Sequence, residues 1–327
     1  MSALIDTAVK QHDTDHMINR LYIHWDVSTQ CPFKCSYCYA MKEYNWQSDA
    51  APGEWNKIDK WEHQKLIIKA FKRSTLPIFL GLQGGEPTIH PRYEELIELC
   101  HDAISAHARG GLYVTTNGSR GPEFFKKQKY HDKLMFLWSF HPEYSERYGD
   151  NFYKFVESVK VCGEKGHRNR INVMLHSDEK YWPIIHKLVD MIEDIPDVEI
   201  HPHWVYKDGD PHAGTIDYNE KFYKEFERFK HYPAWLIFQD VSGNNHKLND
   251  YDIFLSGNFN FHKWKCWHNN YEISWKGVVS KACNLGEKVS LITSPFYFKN
   301  IHTIKPVLCP HTSCACDGHL KIYKEKH

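Results

Sequence analysis

Between residues 21 and 204 short apolar runs alternate with stretches of helical spacing, and this alternation narrows the fold more than any other feature. The apolar runs cover 21–29, 76–82, 111–116, 133–140, 171–176 and 198–204. In the first run Ile23, Trp25 and Val27 share one face while His24, Asp26 and Ser28 share the other, the period-two signature of a strand. Pro202 weakens the sixth run, because proline cannot donate to a ladder. Helical spacing occupies 60–72, 93–106, 152–165 and 181–195. Strand then helix, repeated, calls for a parallel sheet with right-handed crossovers. Six such strands predict an α/β fold, a partial (β/α)6 barrel, whose ligands gather at the carboxyl ends of the strands.

Chemistry-bearing residues stand at those ends. Cys31-Pro32-Phe33-Lys34-Cys35-Ser36-Tyr37-Cys38 directly follows the first run, Gln83-Gly84-Gly85-Glu86-Pro87-Thr88 the second, and Thr115-Thr116-Asn117-Gly118 closes the third. Ser139 and His141-Pro142 end the fourth. Three thiolates in eight residues can hold three irons of a four-iron, four-sulfur (4Fe-4S) cluster and leave the fourth iron for a small molecule; sites with four cysteines satisfy every iron. By spacing alone, a structural zinc site with His24 as fourth ligand is the alternative. Two glycines let backbone approach a ligand closely, and Glu86 can take an ammonium group. Thr116 and Asn117 can hydrogen-bond a ribose or a carboxylate. Taken singly, Gly-Gly and Asn-Gly are also ordinary turns.

The CxxxCxxC of Cys31, Cys35 and Cys38, with Tyr37 just before the last cysteine and Gly-Gly-Glu-Pro one βα unit later, resembles the radical S-adenosylmethionine (SAM) superfamily. The resemblance implies a 4Fe-4S cluster on Cys31, Cys35 and Cys38, beside Tyr37, with SAM on its open iron. It implies that Gly84, Gly85, Glu86 and Pro87 hold the amino group of SAM, that Thr116 and Asn117 lie at its ribose, that Ser139 meets the ribose or carboxylate, and that Met174 packs on adenine. Met174 reads equally as a core residue, and the GxIxGxxE pattern many members carry on that strand is missing. The implied chemistry is reductive cleavage of SAM to a 5′-deoxyadenosyl radical, which takes a hydrogen atom from a peptide or small-molecule substrate. Oxidation, isomerisation or cross-linking follows, with an electron donor such as flavodoxin or ferredoxin.

Beyond residue 206 the pattern changes. Residues 207–211 are rich in turn formers, and Tyr218, Phe222, Phe226 and Phe229 form a helical aromatic stripe that packs on the barrel. Residues 231–265 carry no clear pattern. A second group of cysteines follows: Cys266, Cys283, Cys309, Cys314 and Cys316, with a hairpin turning at Lys276-Gly277 between the first two. The layout resembles the C-terminal SPASM or twitch extensions of radical SAM enzymes, which carry auxiliary 4Fe-4S clusters, on a small cysteine-rich α+β extension. It departs from them in Gly277-x5-Cys283, where x4 is usual, and in five cysteines where the longer extension has seven. Five thiols suit one auxiliary cluster with one cysteine spare; a zinc knuckle using His311 or His319 is the alternative. The expected division is an N-terminal extension (1–19), a radical SAM partial barrel (20–206), a linker and helical/strand region (207–265) and a SPASM/twitch-like auxiliary-cluster domain (266–327).

Lys plus Arg and Asp plus Glu both number 41, so nothing argues for a duplex nucleic-acid footprint, although a nucleotide or single base needs little charge. No basic segment precedes an apolar one at the start, and no apolar stretch approaches 18 residues, so neither a signal peptide nor a membrane span is expected. Ten cysteines then suggest metal ligation in a reducing, cytoplasmic setting, with Cys100 and Cys162 as buried core residues. Two further readings stay open: radical modification of a nucleotide or nucleic-acid base, and a non-catalytic zinc- or cluster-binding interaction protein. The Gly-Gly-Glu-Pro and Thr-Asn-Gly strand ends argue against the latter, since a structural metal site needs neither. His24, Asp26, His141, Glu143, His201 and His203 are expected around the barrel mouth, without a general base singled out among them.

Overall fold

The computed structural model describes residues 8–12, 19–38, 60–147, 150–207, 215–232, 235–249, 260–281, 283, 286–311 and 322–326. The strands of the first part are β1 (Ala8–His12), β2 (Leu21–Ser28), β3 (Ile78–Gly84), β4 (Gly111–Thr116), β5 (Leu134–Phe140), β6 (Arg168–Leu175) and β7 (Val198–Trp204). Between them lie α1 (Lys60–Lys72), α2 (Tyr93–Ser105), α3 (Pro122–Lys127), α4 (Pro142–Arg147), α5 (Asp150–Glu164) and α6 (Trp182–Ile192). Strands β2 to β7 pair side by side in sequence order, every pair parallel. This is the six-stranded parallel sheet of a partial barrel, as the alternation predicts.

The alternation within each strand explains its two faces. Trp25, Leu80, Leu82, Val114, Phe136, Trp138, Ile171 and Val173 are wholly buried against the helices, where Phe71, Leu96, Phe155 and Leu188 meet them. The opposite parity points into the barrel, where His24, Gly81 and Tyr113 stand level on three adjacent strands. A Cβ on Gly81 would lie 2.1 Å from the Tyr113 ring, so the glycine supplies the space in which that ring lies. Tyr113 Oη is then 2.7 Å from His24 Nδ1. Burial pushes His24 down to about 4, with Gln83 bonding against the shift, so the ring is neutral near pH 7.

The later chain forms α7 (Glu220–Glu225) and strands β8 (Trp235–Asp240), β9 (Asn245–Asn249), β10 (Lys265–Cys266), β11 (Asn270–Ile273), β12 (Val278–Lys281), β13 (Val289–Ser290), β14 (Val307–Leu308) and β15 (Lys324–Glu325). The expected hairpin is β11–β12, closed by Gly277 N–H donating to Ser274 O at 2.8 Å. It docks on the free edge of the barrel sheet, β11 running parallel to β2, with β13 outermost. A second, antiparallel sheet runs in the order β14-β10-β15-β1-β8-β9. Part of the segment read as an N-terminal extension is therefore a strand between β15 and β8. Residues 231–265, which carried no clear pattern, supply the β8–β9 hairpin and the first residue of β10. The aromatic stripe is buried at Phe222, Phe226 and Phe229, as expected. Among the described residues no helix is long and apolar enough to cross a membrane.

At the end of β3 the backbone turns through Gly84 at φ +119°, with Ser28 O only 2.1 Å from where a Cβ would stand. Gly84→Ala combines a strained backbone with a backbone clash and should lower unfolding free energy in urea by about 2–3 kcal/mol. Gly243→Ala, at φ +85° in the open β8–β9 turn, should cost only about 1 kcal/mol. Equal losses would refute the close-approach role of Gly84.

Candidate active site

The turn after β3 is built around one buried carboxylate. Glu86 is 1% exposed. Its Oε1 accepts from Thr88 N (3.1 Å), Thr88 Oγ1 (2.6 Å) and Thr116 Oγ1 (2.8 Å), and its Oε2 from Asn117 N (2.6 Å). The first two bonds shape the 3-10 turn Pro87–Ile89, and the others tie that turn to the end of β4. Burial pushes the carboxyl above its ordinary range, and the four donors work against that rise. Gly85 N–H donates to Ser28 O and Glu86 N–H to Gln30 O, both at 2.7 Å. The Gly-Gly-Glu-Pro turn is thereby stitched to the first residues of the cysteine loop.

The three cysteines sit together in that loop. Cys38 N–H donates to Cys35 O at 3.1 Å, and Phe33 N–H to Cys31 Sγ at 3.4 Å. Asn117 Nδ2 reaches across from β4 to Cys31 Sγ at 3.3 Å. Burial raises the Cys31 thiol to about 12, helped by the charge of Glu86 and by Cys38. Cys35 is raised too, by burial and then by Cys31 and Cys38. Thiols crowded beside a buried carboxylate ionise only when a cation compensates them, and metal ligation requires the thiolate. Among the described residues no three His, Cys, Asp or Glu side chains are gathered tightly enough for a single metal ion. An iron–sulfur cluster asks for less, since each thiolate takes its own iron at a separate corner. Three thiols close enough to raise one another are thus a donor set that an iron–sulfur cluster can use.

A second set of contacts holds the loop from the β5 side. Phe33 stacks on Tyr144 with centroids 4.2 Å apart and planes 8° from parallel, and Lys34 N–H donates to Tyr144 Oη. Glu143 accepts from Ser36 N (2.9 Å) and Ser36 Oγ (2.5 Å), and His176 Nε2 lies 3.5 Å from Glu143 Oε1. Burial would raise the Glu143 carboxyl, but the bonds from His176 and Ser36 outweigh it and hold the group at about 2. Tyr37 Oη is 3.1 Å from His141 Nδ1, and burial lowers His141 to about 4. Ser36 and Tyr144 were not among the residues read from sequence. Their only local signal is adjacency to Cys35 and to His141-Pro142.

The other expected residues fall at the same end of the sheet. Thr116 and Asn117 are buried at the end of β4. Ser139 lies opposite in parity to the core residues Trp138 and Phe140, level with Asn172. Met174 lies level with His203, opposite in parity to the core residues Val173 and Leu175. The side chain of Asn117, expected at a ribose, is engaged by Cys31 Sγ and by Ser119 N–H, which donates to Oδ1 at 2.9 Å.

In the second sheet Cys266 on β10 pairs with Val307 on β14. Cys309 follows β14, its N–H donating to Trp264 O at 2.8 Å. His311 links Cys309 to Cys283: its carbonyl is 3.7 Å from Cys309 Sγ and its Nε2 is 3.1 Å from Cys283 O. Cys283 itself turns at φ +59°, after β12. Cys314, Cys316 and His319 lie outside the described residues.

The depressed Glu143 carboxyl makes a signed prediction. A carboxyl lowered in the folded state contributes stability above its unfolded value, near 4.5, and loses it as pH falls toward 2. The stability difference between wild type and Glu143→Gln, read by urea unfolding of the metal-free protein, should be constant above about pH 5.5. It should shrink steadily on acidification below that; a difference independent of pH would remove the ionic role of Glu143.

Comparison with known proteins agrees with this architecture. Solved structures of anSMEcpe align over most of the chain. One, with bound AdoMet and Kp18Cys peptide, has TM-score 0.54 and 15% identity over 87% of this chain and 81% of that one. Another, with bound AdoMet, has TM-score 0.54 and 16% identity over 86% and 81%. Streptococcus suis SuiB aligns with TM-score 0.48 and 16% identity over 86% and 67%. At such identities the likeness is one of fold. No curated protein matches the sequence. The model of the Radical SAM superfamily matches residues 25–188, half of the chain and all six strand ends but the last, and the chain belongs to that superfamily as a radical SAM enzyme.

Proposed function

We propose that the enzyme abstracts a hydrogen atom from a peptide or small-molecule substrate held in the barrel, using a SAM-binding cluster on Cys31, Cys35 and Cys38 and a second cluster in the C-terminal region. When bound, the first cluster and SAM supply one electron and a 5′-deoxyadenosyl radical. The protein's part is to place and shield. The observation that carries the reading is the meeting of three strand ends: Asn117 joins Glu86 to Cys31 through its backbone and side-chain nitrogens. In this reading Gly84, Gly85, Glu86 and Pro87 would hold the amino group of SAM, Thr116 and Asn117 would lie at its ribose, Ser139 would meet the ribose or carboxylate, and Met174 would pack on adenine. Tyr37, tied to His141, keeps the third cysteine's neighbour turned toward the β5 end.

We take the barrel to span 20–206; the last of its six strands in sequence, β7, ends at Trp204. For the second cluster, support comes from Cys309 and Cys283 meeting at His311, with Cys266 on β10 beside β14, the strand that Cys309 follows; four of Cys266, Cys283, Cys309, Cys314 and Cys316 would be its ligands. We read this region as a SPASM- or twitch-like extension. A peptide substrate is favoured because the anSMEcpe structure of similar fold holds a peptide together with AdoMet. The electron would come from a small donor such as flavodoxin or ferredoxin.

Anaerobic reconstitution should give about eight irons per chain, four for each cluster. The reconstituted enzyme should make 5′-deoxyadenosine from SAM and a reductant. Cys31→Ala should abolish that product, while Cys283→Ala should bring iron down to about four and leave SAM cleavage without substrate at least partly intact. Zinc without iron would sink the whole reading. About four irons in the wild type, all lost in Cys31→Ala, would remove the second cluster alone.

A further inference from the structure

The side chain of Asn117 is held in one orientation. Ser119 N–H donates to Oδ1 at 2.9 Å, which settles which end of the amide is oxygen and turns Nδ2 toward Cys31 Sγ at 3.3 Å. The backbone holds it as well: Asn117 N–H donates to Glu86 at 2.6 Å, and Gly118 N–H donates to Thr116 Oγ1 at 3.1 Å. Asn117 is 8% exposed, so water does not compete freely for the amide. The Cys31 sulfur takes one other hydrogen bond among the described residues, from Phe33 N–H, which belongs to its own loop. The donor from Asn117 is thus the side-chain contact to that sulfur, and it comes from a different strand.

We propose that Asn117 is a positioning residue that tunes the three-cysteine cluster, its amide N–H raising the cluster's reduction potential through the Cys31 sulfur. This rests on the ligand role proposed for Cys31. Reduction adds one electron and makes the cluster and its thiolates more negative. A donor aimed at a thiolate sulfur stabilises the reduced form more than the oxidised one, and such bonds are one of the levers that set cluster potentials. The need for it is local. Glu86 is a buried carboxylate bonded to the same residue that reaches Cys31, and its negative charge acts in the opposite sense. The same residue that fixes Glu86 through its backbone therefore offsets that charge through its side chain. The cluster can then accept an electron without giving up the carboxylate that shapes the turn.

The test is the midpoint potential of the cluster in reconstituted wild type, Asn117→Ala and Asn117→Asp, followed by EPR at controlled potential. The signal that changes on adding SAM identifies the three-cysteine cluster and separates it from any second one. Asn117→Asp keeps an oxygen for Ser119 N–H but replaces the donor at the sulfur with an acceptor. Both variants should retain iron and absorb as the wild type does, and both midpoints should move to more negative potential, Asn117→Asp further than Asn117→Ala. Midpoints that stay put or move positive overturn the proposal. Loss of the cluster from both variants also overturns it, making Asn117 a support for the loop. If the wild type holds no SAM-sensitive cluster, the ligand role of Cys31 fails instead, a result distinct from either.

Discussion

Everything at the mouth of this barrel hangs on the burial of one carboxylate. Glu86 is sealed from solvent yet keeps four donors, two from its own turn and two from the end of β4. A buried acceptor without partners is costly, and bonds to a charged group contribute roughly 1.5–3 kcal/mol each. These bonds lock the turn after β3 and the turn after β4 in one relative position. Because Gly85 and Glu86 also donate to Ser28 and Gln30, the lock extends to the start of the cysteine loop.

The loop itself has no ladder to hold it. Loop backbone needs side-chain or turn partners where strands would have one another. On one side it leans on Asn117 and the Gly-Gly turn. On the other it is gripped by Glu143, Tyr144 and His141, all from the segment that follows β5. The grip combines aromatic stacking with a carboxylate held ionised well into acid. A cysteine loop fastened from two directions has its backbone held in place, the kind of preorganisation that metal sites depend on.

The C-terminal part is not a separate appendage. Strand β11 lengthens the barrel sheet beside β2, with Tyr22 N–H donating to Asn269 O and Asn269 Nδ2 to Arg20 O, both at 2.9 Å. The second sheet then sets β15 between β10 and β1. Cys309 follows β14 of this sheet and Cys283 follows the β11–β12 hairpin, so both structures must form before His311 can link these two cysteines.

The order of strands and helices from 21 to 204 was legible in residue spacing, because a half-buried strand must alternate and a surface helix must repeat at 3.6 residues. The cysteine spacing, Gly84-Gly85-Glu86-Pro87 and the Asn117-Gly118 turn were legible for a similar reason: each is a local backbone requirement written in adjacent residues. The six-residue helices α3 and α4 were not, since so short a segment carries barely one repeat of the helical pattern. Nor was β1, whose five residues become a strand through partners more than 200 positions away. The reach of Asn117 to Cys31, the hold of Glu143 on Ser36 and the packing of Tyr113 over Gly81 join residues 32 to 107 positions apart. Short-range composition thus decides which segments are strands, turns and thiol loops; which side chains meet is decided by register and crossover, because those contacts exist only after distant backbone has been brought together.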